Sequence, residues 1–245
     1  KLRGPKGTKA KVSIMRVTER NLIDFTITRD KITIYSVTAS YMAKPGVGYI
    51  HIDRFAATTM KEFANAVDKL RAEGMKDLIL DLEFNGGGYL YTAIDLCNQF
   101  LGENQLIVYT QGVHSPYYPY YSNNRGMFKD GKVVVMINEG SASASEILSG
   151  CLQDNDRALL GGRRTFGKGL VQKPFTLTDG SEVKLTTAHY YTPSGRCIQK
   201  TYANGIKEYR DDYKERYESG ELFGKETFKY HDSLLFHTLN GRKVY

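Results

Sequence analysis

Apolar and polar positions along this 245-residue chain change their period several times, and each change marks an expected element. Near the start, Lys9-Ala10-Lys11-Val12-Ser13-Ile14-Met15-Arg16-Val17 and Ile23-Asp24-Phe25-Thr26-Ile27-Thr28 alternate as half-buried strands do. Further strands are predicted over 31–37 and 47–53. From Thr59 the period lengthens. Thr59 and Glu62 have the spacing of a capping box, and Phe63, Val67 and Leu70 share one helical face before Gly74. Asp77-Leu78-Ile79-Leu80-Asp81-Leu82 is a short apolar run of the kind buried on both faces of a parallel sheet. A helix over 89–101, strands over 106–110 and 132–137, a helix over 142–152 and a strand over 157–160 follow. Repeated strand–helix–strand units predict an α/β layer structure with much parallel sheet. Two more strands, over 170–177 and 182–191, meet at the turn sequence Thr178-Asp179-Gly180-Ser181. Residues 200–230, rich in Lys, Glu, Asp and Tyr, are expected to form an amphipathic or partly mobile excursion. No internal repeat is present.

Composition narrows the class. Hydrophobic residues at 41% and charged residues at 25% are ordinary for a globular protein, and the length supports a substantial core. No apolar run approaches the roughly 20 residues that span a bilayer. The net charge of +7 suggests nucleic acid at first sight, but Lys and Arg are interleaved with Asp and Glu and form no dense run. A generally basic surface is the better reading. Cys97, Cys151 and Cys197 are odd in number and widely spaced, so neither a disulfide framework nor a metal site is expected. Cys97 and Cys151 fall on predicted helices and read as small buried hydrophobes. The opening Lys1-Leu2-Arg3-Gly4-Pro5 reads as the interior of a longer protein.

Three stretches carry candidate chemistry. Asn85-Gly86-Gly87-Gly88 follows the buried strand, and a glycine run there lets backbone N–H groups approach a ligand, unless it is a plain tight turn. Asn138-Glu139-Gly140-Ser141-Ala142-Ser143-Ala144-Ser145-Glu146 hands a strand over to a helix N-terminus, where N–H groups favour developing negative charge. A serine here is either presented as a nucleophile or caps the helix, and at least one of the three is expected to cap. In Thr165-Phe166-Gly167-Lys168-Gly169-Leu170-Val171-Gln172 a lysine stands between two glycines at the entry to an apolar strand. Tight packing there would desolvate its amine. A lysine acting as a base near neutral pH must come down from about 10.4 towards 7, which costs roughly 4 kcal/mol. Such an amine can take the proton of a serine hydroxyl. None of the five histidines (His51, His114, His189, His231, His237) has a catalytic setting, and no Gly-x-Ser-x-Gly elbow exists. Ser–Lys is thus the simpler pairing.

Taken together, these stretches resemble the C-terminal processing peptidase, or tail-specific protease, family over most of residues 47–199. Gly48-Tyr49-Ile50 with Phe55, the strand before Asn85-Gly86-Gly87-Gly88, the run 140–146, Phe166-Gly167-Lys168-Gly169 and Tyr191-Thr192-Pro193-Ser194-Gly195-Arg196 occur in the family's order. The resemblance implies that Ser143 attacks the peptide carbonyl, Lys168 is its base, Gln172 orients the lysine, and Gly87 and Ala144 supply the oxyanion-hole N–H groups. No metal or cofactor is implied. Glu83 and Gly86 depart from the family's usual Arg and Pro. The implied fold is an α/β, crotonase/ClpP-like core of stacked ββα units over 31–199. Residues 1–30 would be the C-terminal remnant of a PDZ domain, and 200–245 a charged, Tyr-rich extension. A polypeptide substrate gripped by its C-terminus and a periplasmic or cell-envelope location follow from the same resemblance. Two rival readings stand beside it. One is a crotonase-like acyl-CoA enzyme. The other is a catalytically silent peptide-binding scaffold, in which Tyr117-Tyr118-Pro119-Tyr120-Tyr121 lines a cleft or forms a surface loop.

Overall fold

The computed structural model describes residues 2–32, 34–224 and 232–245. The chain divides into two compact units, Lys1–Tyr35 and Ser36–Tyr245. In the first, β1 (Lys9–Ile14) and β2 (Ile23–Thr28) pair antiparallel, with Val12 opposite Phe25. The second runs β3 (Val37–Lys44), β4 (Val47–Ile52), α1 (Thr59–Ala72), β5 (Asp77–Asp81), α2 (Leu90–Asn98), β6 (Glu103–Gly112) and β7 (Ser115–Asn123). It continues through β8 (Val133–Ile137), α3 (Ala144–Asp154), β9 (Leu159–Gly162), β10 (Leu170–Thr176), β11 (Glu182–Tyr191) and α4 (Gly205–Glu218), and closes with β12 (Phe236–His237) and β13 (Lys243–Val244).

Five strands in the order β3-β4-β5-β8-β9 form the main sheet, parallel throughout except for the antiparallel edge strand β3. Inward residues such as Ile50, Ile52, Leu78, Leu80, Val133 and Val135 share one core with Phe63, Val67 and Leu70 of α1 and with Leu96, Ile147, Leu148 and Leu152 of α2 and α3. Cys97 and Cys151 are fully buried in that core, and burial, with Cys151 beside it, pushes the Cys97 thiol up, which suits a packing role. A second, antiparallel sheet has the order β10-β11-β6-β7. The β10–β11 hairpin turns at Leu177–Ser181, with Gly180 at a φ of 83°.

Four expectations are corrected. The strand placed at 31–37 lies at Val37–Lys44, because the tight connection at Pro45-Gly46 fixes the pairing with β4 from Lys44↔Val47 back to Val37↔Ile52. Tyr117-Tyr118-Pro119-Tyr120-Tyr121 is no loop but lies in β7, the sheet's edge, where a proline is tolerated. Thr59 and Glu62 form no capping box. Thr59 is the first helical residue, and Glu62 accepts instead from the N–H groups of Ser36 and Val37, at 2.6 and 2.9 Å, as β3 begins. Finally, Gly205–Glu218 of the expected excursion over 200–230 is the helix α4; its part at 225–230, and the neighbouring His231, lie outside the described residues. Among the described residues no helix is long and apolar enough to cross a membrane.

Candidate active site

The loops that leave β5, β8 and β9 at their carboxyl ends hold the glycine run, the serine turn and the lysine. Ligands of parallel sheets bind at that edge. Three serines compete for one role in the turn after β8, and their hydrogen bonds separate them. Ser141 is fully buried; its hydroxyl donates to Leu82 O at 2.7 Å and accepts from Asn138 N. Ser145, equally buried, donates to Asn85 O at 2.8 Å. Both hydroxyls stitch this turn to the loop after β5. Ser143 alone is partly exposed, at the N-cap of α3, with φ 57° and ψ −111°. An L-residue avoids that region, so Ser143 is held in a strained conformation on this strand-to-helix turn.

Glu146, unassigned by the sequence analysis, organises what surrounds Ser143. Its buried carboxylate accepts four hydrogen bonds: from Ser143 N at 2.7 Å, Lys168 N at 2.9 Å, Gly167 N at 2.6 Å and Thr165 Oγ1 at 2.7 Å. Oε2 alone binds the amides of both Ser143 and Lys168, so the proposed nucleophile and base are anchored to one atom. Burial pushes the Glu146 carboxyl up, and its donors pull the other way without cancelling this. A signal for the residue was present: Ser143 and Glu146 have the capping-box spacing. Two further ties join lysine loop to serine turn, Phe166 N to Ser141 O at 3.0 Å and Arg163 Nε to Glu139 Oε2 at 2.7 Å. Burial works to raise Glu139, but its bond to Arg163 prevails and holds it below the usual carboxylate range.

The lysine itself differs from expectation. Gly169 does pack closely, with Gln199 N and Ile198 against it, and Gly167 lies against Lys200. That packing serves the backbone, while the Lys168 side chain is exposed. Among the described residues its amine meets neither Ser143 Oγ nor Gln172, which stands exposed in β10 just after a bulge at Val171/Gln172. His51 Nδ1 faces Thr38 Oγ1 at 2.5 Å, remote in role from the serine.

The glycine run packs on the serine turn. A Cβ at Gly87 would meet Ala142 O at 2.7 Å, Ser143 Cβ at 2.8 Å and Ala144 N at 2.9 Å, and its φ is 95°. Gly87 N donates to Asn85 Oδ1 at 2.8 Å, so one of the two expected oxyanion donors is engaged at rest. The other, Ala144 N, opens α3, where N–H groups lack helical partners. At Gly86 a Cβ would meet nothing within 4 Å, so glycine in place of the family's proline leaves no gap. Gly87→Ala is expected to displace the serine turn, cutting turnover at least about 100-fold and destabilising the fold by about 1–3 kcal/mol. Steady-state turnover beside a thermal melt checks this; wild-type values for both would refute the packing argument.

Residues 46–208 match the model of peptidase family S41. Over 203 residues the chain is 41% identical to the carboxyl-terminal-processing protease of Synechocystis, covering 82% of this chain and 47% of that protein. It is 38% identical over 213 residues to the carboxy-terminal processing protease CtpA of Bacillus subtilis, covering 84% and 43% respectively. Among solved structures, the photosystem II D1 C-terminal processing protease superposes with a TM-score of 0.62 at 31% identity, over 80% of this chain and 54% of that one. Mature CPAF complexed with lactacystin, at 13% identity and a TM-score of 0.55, shares the fold. The chain spans about half the length of the curated relatives it matches. With the serine turn and the lysine loop both inside the matched stretch, the chain belongs to peptidase family S41.

Proposed function

We propose that this chain is the catalytic part of a serine endopeptidase that cleaves polypeptides near their C-termini, with Ser143 as nucleophile and Lys168 as general base. The observation that carries the reading is the strained Ser143 at a helix N-cap, its amide sharing one carboxylate oxygen with that of Lys168. Ser143 Oγ attacks the scissile carbonyl carbon as the Lys168 amine takes the hydroxyl proton. Negative charge on the carbonyl oxygen is met by Ala144 N–H, backed by the α3 N-terminus, and by Gly87 N–H once it exchanges Asn85 Oδ1 for substrate. The Lys168 ammonium then protonates the leaving amine. Water, deprotonated by Lys168, hydrolyses the acyl-enzyme. A polypeptide laid across the exposed lysine would exclude water from the amine and bring it to the serine; catalytic hydrogen bonds commonly tighten only then. Gln172, just past the bulge, orients the amine in that closed state.

The finer architecture belongs to the same proposal. The mixed α/β unit is read as the crotonase/ClpP-like core, and the β1–β2 unit as the end of a PDZ domain that grips the substrate's C-terminal carboxylate. Residues 200–245 then begin the C-terminal region. Bacterial relatives support a periplasmic or cell-envelope location. The test is digestion of an unstructured polypeptide by the full-length parent and by Lys168→Ala, with products mapped by mass spectrometry. Cleavage near the C-terminus by the parent alone is expected. Undiminished cleavage by Lys168→Ala would place the base elsewhere, and an inert parent would point to a peptide-binding scaffold.

A further inference from the structure

Helix α4 lies mostly beyond the stretch matched to the family, and its docking is unusual. Surface helices bury an apolar stripe, yet the single buried residue of α4 is an arginine, Arg216, which is 4% exposed. A buried guanidinium is costly unless its donors are used, and those of Arg216 serve the loop that leads to Lys168. Its Nη2 donates to Arg164 O at 2.6 Å, Nη1 to Thr165 O at 3.3 Å and Nε to Glu221 Oε1 at 2.9 Å. Glu221 in turn takes both Arg164 Nε and Nη2, at 3.0 and 2.9 Å. Farther along the loop, Lys200 accompanies it: its amide donates to Gly167 O at 3.0 Å, and its amine pairs with Asp212 of α4 at 3.0 Å. That amine also lies over the rings of Phe166 and Tyr209, at 4.6 and 4.3 Å.

The bonds of Arg216 connect to the dyad through Thr165. Thr165 gives its carbonyl to Arg216 and its hydroxyl to Glu146, and Glu146 holds the amides of Ser143 and Lys168. We propose that Arg216 is a positioning residue for the Ser143–Lys168 pair, clamping the lysine loop from α4 so that the base is held in reach of the serine turn. This rests on the dyad reading above. Lys168 is exposed, so the placement of its loop decides how often its amine can reach Ser143. Arg suits the role because its planar fork spans two successive carbonyls and a carboxylate together, which a lysine cannot do.

The experiment measures kcat and KM on an unstructured polypeptide across about pH 6–10 for the full-length parent and its variants. The variants are Arg216→Ala, Arg216→Lys, Glu221→Gln, Lys168→Ala and, as a control, Lys214→Ala, whose residue pairs on the exposed face with Glu218. Arg216→Ala is expected to lower kcat about 10–100-fold, with KM changed less than about twofold. It should also displace the limb of the kcat profile that reports the base. Arg216→Lys should recover part of the loss and Lys214→Ala should match the parent. An inactive Lys168→Ala beside an Arg216→Ala of parental kcat and profile would overturn the clamp and leave the dyad standing. So would a fall in kcat that only tracks the folded fraction, with an unmoved profile. An active Lys168→Ala would remove the dyad reading, and this inference with it. Should Arg216→Ala fail to fold, Glu221→Gln is read by the same criteria: a lowered kcat with a displaced profile supports the clamp, and a parental profile refutes it.

Discussion

Replacing Ser143 by alanine is expected to reduce peptide-bond cleavage by at least about 10³-fold while leaving the melting temperature within a few degrees of the parent's. Alanine removes Oγ and keeps the Cβ, so the strained backbone at φ 57° and ψ −111° persists. Glycine at the same position should be equally inactive and more stable, by about 1 kcal/mol, because it adopts that conformation without the Cβ penalty. The paired outcome separates strain kept for chemistry from strain with no consequence. Ser141→Ala and Ser145→Ala make the contrast sharp. Their hydroxyls bond Leu82 O and Asn85 O inside the fold, so each should cost stability, about 1 kcal/mol, before it costs chemistry. Calorimetry and turnover on the four variants would settle the assignment. Residual cleavage in Ser143→Ala comparable to the parent would name a different nucleophile.

Glu146→Ala should be the most disruptive single change in the site. It would strand three backbone N–H groups and the Thr165 hydroxyl in a part-buried place and open a cavity beneath the proposed dyad. With about 1–3 kcal/mol per orphaned group and some relief from entering water, a loss of at least about 3 kcal/mol is expected, together with activity near background. Glu146→Gln keeps the volume but turns one acceptor into a donor facing donors, and it should fall between. The pH dependence has a definite sign. Burial raises this carboxyl above the ordinary 4.5, so the folded state holds its proton more tightly than the unfolded state. The stability linked to the group is therefore fully present below about pH 4.5 and declines as pH rises through the raised folded value. Thermal melts of the parent and of Glu146→Gln across that window test this; the decline should be weaker in the variant. An identical pH slope in the two proteins would mean that Glu146 does not titrate differently on folding.

How the chain revealed these elements explains what it concealed. The strand at 77–81 and the α1 face of Phe63, Val67 and Leu70 were legible because a two-sided apolar run and a 3.6-residue stripe are set by neighbours in sequence. The same is true of the strand-to-helix passage at Ser143 and of the hairpin turning near Gly180. The two candidate capping boxes show where this ends. Thr59 with Glu62 and Ser143 with Glu146 have the same spacing, but the first glutamate is drawn away by Ser36 and Val37, while the second reaches the Ser143 amide and those of Gly167 and Lys168. Which partner a carboxylate finds depends on donors that lie 20 or so residues distant in the chain, and spacing carries no record of them. Likewise, glycines around Lys168 predicted close packing and were right about the backbone, yet the side chain stands in solvent.

The sequence by itself determined the α/β alternation, the serine and lysine motifs in their order, and the turn on which Ser143 is presented, because each depends on residues within one or two turns of chain. Tertiary structure decided which of three serines stays partly exposed, that Gly87 N–H rests on Asn85, that one carboxylate oxygen joins the serine amide to the lysine amide, and that a buried arginine from α4 grips the lysine's loop. Those are contests among donors and acceptors brought together from several strands and helices, and a buried polar group takes whichever partner the fold puts within reach.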